Sequence, residues 1–113
     1  MEDIDLSSAR DVHVHLAEVQ IVDVREDYEW EAGRIETAIH IPLNSLRAGA
    51  GDDQLETERP VVVVCRSGNR SELGALMLKA RGYDAHNLEG GMEDWARQDL
   101  PFTTPDGGPG RVA

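Results

Sequence analysis

Short apolar runs rich in β-branched residues recur along the chain and predict buried strands. Residues 19–24 (VQIVDV) predict the first strand, and residues 38–41 predict a second, shorter one. The strongest signal is VVVV at residues 61–64, since a continuous β-branched run is typical of a central parallel strand covered on both faces. Residues 85–88 predict a last short strand.

Segments with helical signals lie between these strands. Residues 27–32 predict a short helix that ends at Gly33, and residues 44–48 predict a single helical turn. Residues 71–81 predict a longer helix, because apolar side chains recur at positions i, i+3, i+4 and i+7. These side chains are Leu73, Leu76, Met77 and Ala80. A last helix is predicted over residues 92–98.

The segment before the first strand is open to two interpretations. Ser7 or Ser8 could cap a helix that reaches Leu16, with apolar residues on one face. The alternation of VHVH, residues 12–15, also allows a short strand. Residues 49–59 are polar and contain glycine, so they predict a surface loop.

Strands separated by helices predict an α/β domain, in which a parallel sheet carries helices on both faces. A chain of 113 residues is the usual size of one domain. We expect this domain to occupy residues 1–102. Residues 103–113 (TTPDGGPGRVA) have almost no apolar side chains to bury, and they predict a disordered tail.

The charge of the chain restricts its partners. A net charge of −11 opposes binding to nucleic acid and to anionic membranes, because both require neutralisation of phosphate groups. The chain has no apolar run near the roughly 18 residues of a membrane span, and its acidic start, MEDIDLSSAR, does not resemble a signal peptide. We therefore expect a cytoplasmic protein. An anionic small substrate would need a locally positive pocket.

The chain contains one cysteine, Cys65, which excludes a disulfide framework and a cysteine-rich zinc site. The four histidines show no metal-ligand spacing, so we expect neither a metal nor a cofactor. They are His13, His15, His40 and His86. A lone cysteine has two interpretations, a small buried hydrophobic residue or a nucleophile.

The context of Cys65 favours the nucleophile. It follows the central strand, and in open parallel sheets functional sites form at the carboxyl ends of strands. A polar turn and a helix come next, so free N–H groups at the helix start can stabilise an anion. Gly68 permits a tight turn, and Arg66 and Arg70 add positive charge. The pKa of the thiol is therefore expected below its ordinary value of about 8.5.

Four stretches together resemble the rhodanese-like domains, a family of sulfurtransferases. CRSGNRS, residues 65–71, is similar to the active-site loop of that family. VDVRED, GRIETAIHIP and LEGGMEDW are similar to its other motifs, and the resemblance covers about residues 4–101. The chain departs from the family pattern in a connecting stretch, where Arg34, Glu36 and Thr37 stand. We interpret these departures as changes of shape that could alter the rim seen by a partner protein.

The resemblance implies a three-layer sandwich with a central, mostly parallel five-stranded sheet. It also implies that Cys65 carries sulfur as a persulfide. The sulfur would come from thiosulfate or a persulfide donor and would pass to a thiol or cyanide acceptor, with a sulfur-relay protein as a further candidate partner. The substrate-binding residues would be Arg66, Ser67, Gly68, Asn69 and Arg70. Arg66 would orient the donor, and Arg70 would anchor the loop or screen the thiolate.

Two other functions stay open. Relatives of the same fold include non-catalytic docking modules, although the intact Cys65 and its loop argue against that role. Others are phosphatases and arsenate reductases whose loop follows a Cys-x5-Arg pattern. In this chain Arg70 gives Cys-x4-Arg, and Ser71 stands at the sixth position. The shorter loop favours a terminal sulfur over a tetrahedral oxyanion.

Overall fold

Four parallel strands form the sheet at the centre of the protein, which a computed structural model describes from residue 4 to residue 113. The sheet order is β2-β1-β3-β4, which places β3 between two neighbours. In the register of the central pair, Asp23 lies beside Val64, so both strands end at the same edge. The strands are β1 (Gln20–Asp23), β2 (Ile39–His40), β3 (Val61–Val64) and β4 (Ala85–Asn87).

Helices cover both faces of this sheet. They are α1 (Ala9–Val14), α2 (Asp27–Ala32), α3 (Leu43–Arg47), α4 (Asn69–Ala80) and α5 (Gly91–Arg97), with a 3-10 turn at Leu16–Glu18. Because side chains alternate along a strand, Val61 and Val63 pack with Leu78 of α4 on one face. On the other face, Val62 and Val64 pack with Trp95 of α5. The predicted α/β class, with helices on both sides, is confirmed.

The expectation of five strands was wrong, because the described residues contribute four strands to the sheet. The segment that allowed a strand or a helix forms helix α1. Ser8 caps this helix by accepting a hydrogen bond from the N–H of Asp11, and Ala9 and Val12 are fully buried on its inner side. Residues 1–3, which the sequence assigned to the domain, lie outside the described residues. Among the described helices, none is long and apolar enough to cross a membrane.

Helix α4 lies where the sequence predicts it but packs through a different face. Leu73 and Leu76, two of the apolar residues whose spacing predicts the helix, are 41% and 56% exposed. The inner face consists instead of Ser71, Gly74, Ala75 and Leu78. A Cβ at Gly74 would come within 3.1 Å of Val63 Cγ1, so the small residues let the helix axis approach β3 closely.

The C-terminal segment also differs from the expected disordered tail. Thr103 pairs with Arg34 through backbone hydrogen bonds of 2.9 and 3.0 Å, and the N–H of Arg111 donates to the carbonyl oxygen of Ala32 at 2.9 Å. Phe102 and Val112 pack against the apolar cluster that contains Trp95. These few apolar groups, together with backbone pairing, hold a segment whose composition suggested disorder.

Deleting residues 103–113 should therefore destabilise the domain. The lost backbone hydrogen bonds and apolar contacts are worth about 1 kcal/mol or more, which corresponds to a fall in melting temperature of about 4–8 °C. Val112→Ser should produce part of this loss. Val14→Ser is the matched control, since Val14 is 69% exposed and its replacement should leave the melting temperature unchanged. Equal melting temperatures for the full and shortened chains would show that the segment contributes nothing.

Candidate active site

The side chain of Cys65 lies at the carboxyl edge of the sheet, directly after β3, and only 1% of the residue is exposed. Its Sγ accepts hydrogen bonds from the N–H of Gly68 at 3.1 Å and from the N–H of Ser71 at 3.3 Å. The hydroxyl of Ser71 is also 3.3 Å from Sγ. Donors that converge on one sulfur atom stabilise its anionic form.

These contacts decide the protonation of the thiol. Burial has the largest single influence on the pKa of Cys65 and raises it, because a thiolate loses solvation in the interior. Hydrogen bonds from the Ser71 hydroxyl and from the N–H groups of Ser71, Gly68 and Ser67 oppose this effect. Together they outweigh burial, so the pKa lies below its ordinary value, in the direction that the sequence predicted.

Helix α5 holds the outer side of the loop. The N–H groups of Met92 and Glu93, in its first turn, donate to the carbonyl oxygens of Cys65 and Arg66 at 2.8 and 2.9 Å. Gly91 precedes them with φ of 56°, and a Cβ there would lie 2.4 Å from the Cys65 oxygen. Only glycine allows the helix to come this close.

Strand β4 supplies a second brace through Asn87. Its side-chain amide donates to the carbonyl oxygen of Gly68 at 3.0 Å, and its Oδ1 contacts the Ser71 hydroxyl, whose single proton is donated either to this oxygen or to the Cys65 thiolate. Gly68 has φ of 103°, a conformation that residues with a Cβ rarely adopt. One amide side chain thus fixes both the turn of the loop and the hydroxyl that faces Sγ.

Three carbonyl groups of the loop are held by α5 and β4, and this fixes the direction of the N–H groups that follow them. In a trans peptide the C=O and the following N–H point in opposite directions, and the described residues contain no cis peptide bond. The carbonyl groups of Cys65, Arg66 and Gly68 all point away to α5 or β4. The N–H groups that follow them, those of Arg66, Ser67 and Asn69, therefore point away from these anchors. The N–H of Ser67 is among the groups that stabilise the Cys65 thiolate.

Arg70 anchors the loop to helix α2. Its guanidinium donates two hydrogen bonds, of 2.7 and 2.8 Å, to the carboxylate of Glu29, whose side chain is 2% exposed. The hydrogen bond from Arg70 is the main reason why the pKa of Glu29 is lowered, and the same contact raises the pKa of Arg70. The guanidinium is directed at Glu29, where it makes no hydrogen bond to Sγ.

Arg66 lies at the exposed rim, where its Nε donates to Glu93 at 3.2 Å. Beside the loop is a cavity of about 350 Å³. It is lined by Ser67, Gly68 and Asn69 of the loop and by Glu72, Asn87 and Glu89, among others. The five residues predicted to bind substrate thus form the loop that follows Cys65, with the N–H groups of Ser67 and Gly68 toward Sγ and both arginine side chains paired to carboxylates.

Three residues of the motifs shared with the rhodanese-like family belong to the buried core. Asp23 and Arg25 form a fully buried ion pair at 2.7 Å, and Arg25 also donates to the carbonyl oxygen of Gly33 at 2.7 Å. Trp95 is fully buried and donates to the carbonyl oxygen of Pro101. No group of three or more metal-ligating side chains occurs in the part of the chain that the structure describes.

Sequence reasoning missed four residues that support the loop. They are Glu29, Asn87, Gly91 and Glu93. Asn87 could have been found, since it is a polar residue at the carboxyl end of a predicted strand. Glu29 carried no such signal, because its pairing with Arg70 joins positions 41 residues apart in the sequence.

Comparison with known proteins now identifies the family. The sequence profile of the Rhodanese-like domain matches residues 8–98. The chain belongs to the rhodanese-like domain family. A curated protein of Allochromatium vinosum named "Sulfurtransferase" is 32% identical over 108 residues, which cover 95% of this chain and 99% of that protein. "Probable adenylyltransferase/sulfurtransferase MoeZ" of Mycobacterium tuberculosis is 35% identical over 82 residues, which cover 72% of this chain and 21% of that protein.

Solved structures agree with this assignment. A rhodanese-related protein from Thermoplasma volcanium superposes with a TM-score of 0.78 at 30% identity, covering 85% of this chain and 94% of that one. A rhodanese-like domain protein from Staphylococcus aureus superposes with a TM-score of 0.70 at 35% identity, covering 84% of this chain and 91% of that one.

The residues that depart from the family pattern lie beside the C-terminal segment. Arg34 pairs with Thr103, and Glu36 and Thr37 line a small cavity beside Phe102. These departures thus face the C-terminal segment of this rhodanese-like domain.

Ser71→Ala should raise the pKa of Cys65, because the Ser71 hydroxyl is the strongest of the groups that lower it. The pH dependence of iodoacetamide labelling, followed by intact mass, measures this shift. Ser67→Ala is the matched control, since Ser67 acts through its backbone N–H, which alanine keeps. The same labelling midpoint in Ser71→Ala and the unaltered protein would contradict the role given to the hydroxyl.

Arg70→Met should lower the free energy of unfolding at pH 7 by about 1–2 kcal/mol, because it leaves the buried Glu29 carboxylate without its ion-pair partner. The loss is modest because the Arg70 side chain is 36% exposed to solvent. The pKa of Glu29 is lowered in the folded state, so the pair stabilises the protein above the ordinary glutamate pKa of about 4.3. The difference between variant and unaltered protein should shrink as the pH falls below that value. Urea unfolding at several pH values tests this, and a difference independent of pH would contradict it.

Proposed function

We propose that this rhodanese-like domain is a sulfurtransferase in which Cys65 carries the transferred sulfur as a persulfide. The observation that supports this proposal most directly is the cradle of N–H donors around the Sγ of Cys65. A nucleophilic thiolate needs such a setting, since the thiolate and not the thiol attacks a sulfur atom. Membership of the rhodanese-like family and similarity to a protein named "Sulfurtransferase" support the same reaction class.

The reaction has two balanced half-steps. In the first, the Cys65 thiolate attacks the outer sulfur of a donor such as thiosulfate or a persulfide. A bond to Sγ forms, the sulfur–sulfur bond of the donor breaks, and its electron pair leaves with sulfite or a thiolate. In the second, a thiolate or cyanide attacks the outer sulfur of the persulfide, and the Cys65 thiolate is regenerated. No outside oxidant or reductant is consumed.

The inner side of the loop suits this intermediate. The N–H groups of Arg66, Ser67 and Asn69 point away from α5 and β4, because the carbonyl groups before them are held there, and the N–H of Ser67 contacts the Cys65 thiol. Asn69 and Arg70 also open helix α4, where N–H groups have no partner in a preceding turn. We expect these N–H groups to stabilise the outer persulfide sulfur. A separate general base is unnecessary when the thiolate is already formed.

The arginine side chains have unequal roles in this proposal. Arg70 anchors the loop through Glu29 and adds positive charge near the thiolate. Arg66 lies at the rim, 53% exposed, where it can meet a donor while its Nε pairs with Glu93. The partners are therefore a small sulfur donor and a thiol or cyanide acceptor. A sulfur-relay protein is a further candidate, since the chain matches part of a larger relative whose name includes a sulfurtransferase.

Cys65→Ser should abolish sulfur loading, because a serine oxygen cannot form a persulfide and the chain has no other thiol. The unaltered protein, treated with excess thiosulfate or a small persulfide, should gain the mass of one sulfur atom, and cyanide should remove it. The melting temperature of the variant serves as the folding control. A folded Cys65→Ser protein that still gains sulfur, or an unaltered protein that never does, would exclude this mechanism.

A further inference from the structure

We infer that the charges around the Cys65 loop select against anionic donors and acceptors and favour sulfur carriers that are neutral or positively charged. This inference rests on the proposed sulfur transfer and names its substrate class. It follows from the pairing of the loop arginines and from two further carboxylates beside the loop, Glu72 and Glu89.

Both arginines of the loop are already matched by carboxylates. Arg70 makes a two-pronged ion pair with Glu29, which leaves little of its charge for a ligand. Arg66 donates through Nε to Glu93, 3.2 Å away at the rim, so a dianion that approaches this guanidinium also meets the Glu93 carboxylate. The loop, which from its sequence looks strongly positive, is thus close to neutral before its other neighbours are counted.

Two more carboxylates make the net charge around the loop negative. Glu72 lies in the first turn of α4, and Glu89 lies between β4 and α5, so both line the cavity beside the loop. Both are exposed, and within the described residues neither makes an ion pair. Two positive charges at the loop therefore face four negative ones, in a chain whose net charge is −11.

The N–H cradle and the carboxylates act at different distances. Backbone N–H dipoles act within hydrogen-bond reach, so they stabilise the single sulfur atom that is bonded to Cys65. The rest of a donor or acceptor lies outside that reach, where full charges act over roughly a Debye length of 8–10 Å. A sulfonate or carboxylate group there meets repulsion, whereas an ammonium group meets attraction.

The test measures discharge of the Cys65 persulfide by three small thiols of different charge. These are cysteamine, which is positive, 2-mercaptoethanol, which is neutral, and mercaptoacetate, which is negative. Protein loaded with sulfur is mixed with each thiol in a single turnover, and the remaining persulfide is followed by intact mass. Each rate is compared between the unaltered protein and the double variant Glu72→Gln/Glu89→Gln, so the intrinsic reactivity of each thiol cancels in the ratio.

We expect the double variant to accelerate discharge by mercaptoacetate and to slow discharge by cysteamine, by about threefold to tenfold each at low salt. The rate with 2-mercaptoethanol should not change. Added salt should raise the mercaptoacetate rate and lower the cysteamine rate of the unaltered protein. Loading by thiosulfate should be faster in the double variant for the same reason.

Asp53→Asn/Glu58→Gln is the matched control. It removes the same two charges from the exposed loop before β3, at the opposite edge of the sheet from Cys65. This control should behave as the unaltered protein, and an equal effect in both double variants would assign the selectivity to total charge and overturn the role of Glu72 and Glu89. If the protein takes up sulfur but the ratio of discharge rates between variant and unaltered protein is the same for all three thiols, the inference is overturned and the proposed function is not. Failure to load any sulfur would instead overturn the proposed function.

Discussion

The outward anchoring of the loop carbonyl groups is the constraint on which the site depends. The N–H groups of Met92 and Glu93 and the amide of Asn87 hold the carbonyl oxygens of Cys65, Arg66 and Gly68 on the outer side. Peptide planarity then turns the N–H groups that follow away from α5 and β4, and the N–H of Ser67 is one of the donors to the Cys65 thiol. The geometry of the loop is therefore set from its outer side, by α5 and β4. This explains why a glycine is required at position 91, far from Cys65 in sequence, where a Cβ would collide with the Cys65 carbonyl oxygen.

This construction also favours the thiolate form of Cys65 in a strongly acidic protein. Stabilisation by arginine charge alone would be weakened by the surrounding carboxylates, and the structure shows both loop arginines paired to glutamates. The donors that lower the pKa of Cys65 are instead neutral groups in direct contact, the Ser71 hydroxyl and backbone N–H groups, and they prevail over the opposing effect of burial. Local dipoles keep their effect whatever the net charge, because the surface charge is screened within about 10 Å.

The sequence was sufficient for what local patterns encode and insufficient for what depends on packing. The VVVV run, the position of Cys65 after it and the helix that follows were all predictable, as was the α/β class. The buried face of α4 was not, because its leucines are exposed and the helix packs through Gly74 and Ala75, which carry little apolar signal. The partners of Arg66 and Arg70 could not be inferred either. Glu93 and Glu29 are 27 and 41 residues away in sequence, so the loop looked like a site for anions when its charges are already satisfied.

Burial of Cys65 fits the proposed chemistry when the free thiol is compared with the persulfide. In the free protein the residue is almost completely enclosed, which protects the thiol from large oxidants and large electrophiles. A persulfide extends the side chain by one sulfur–sulfur bond of about 2.05 Å. The atom offered to an acceptor is then the outer sulfur, while Sγ stays behind the N–H groups of Gly68 and Ser71. An acceptor that attacks the outer sulfur finds a leaving thiolate whose charge is already stabilised. The enclosure that slows unwanted reactions of the free thiol thus assists release of the sulfur that it carries.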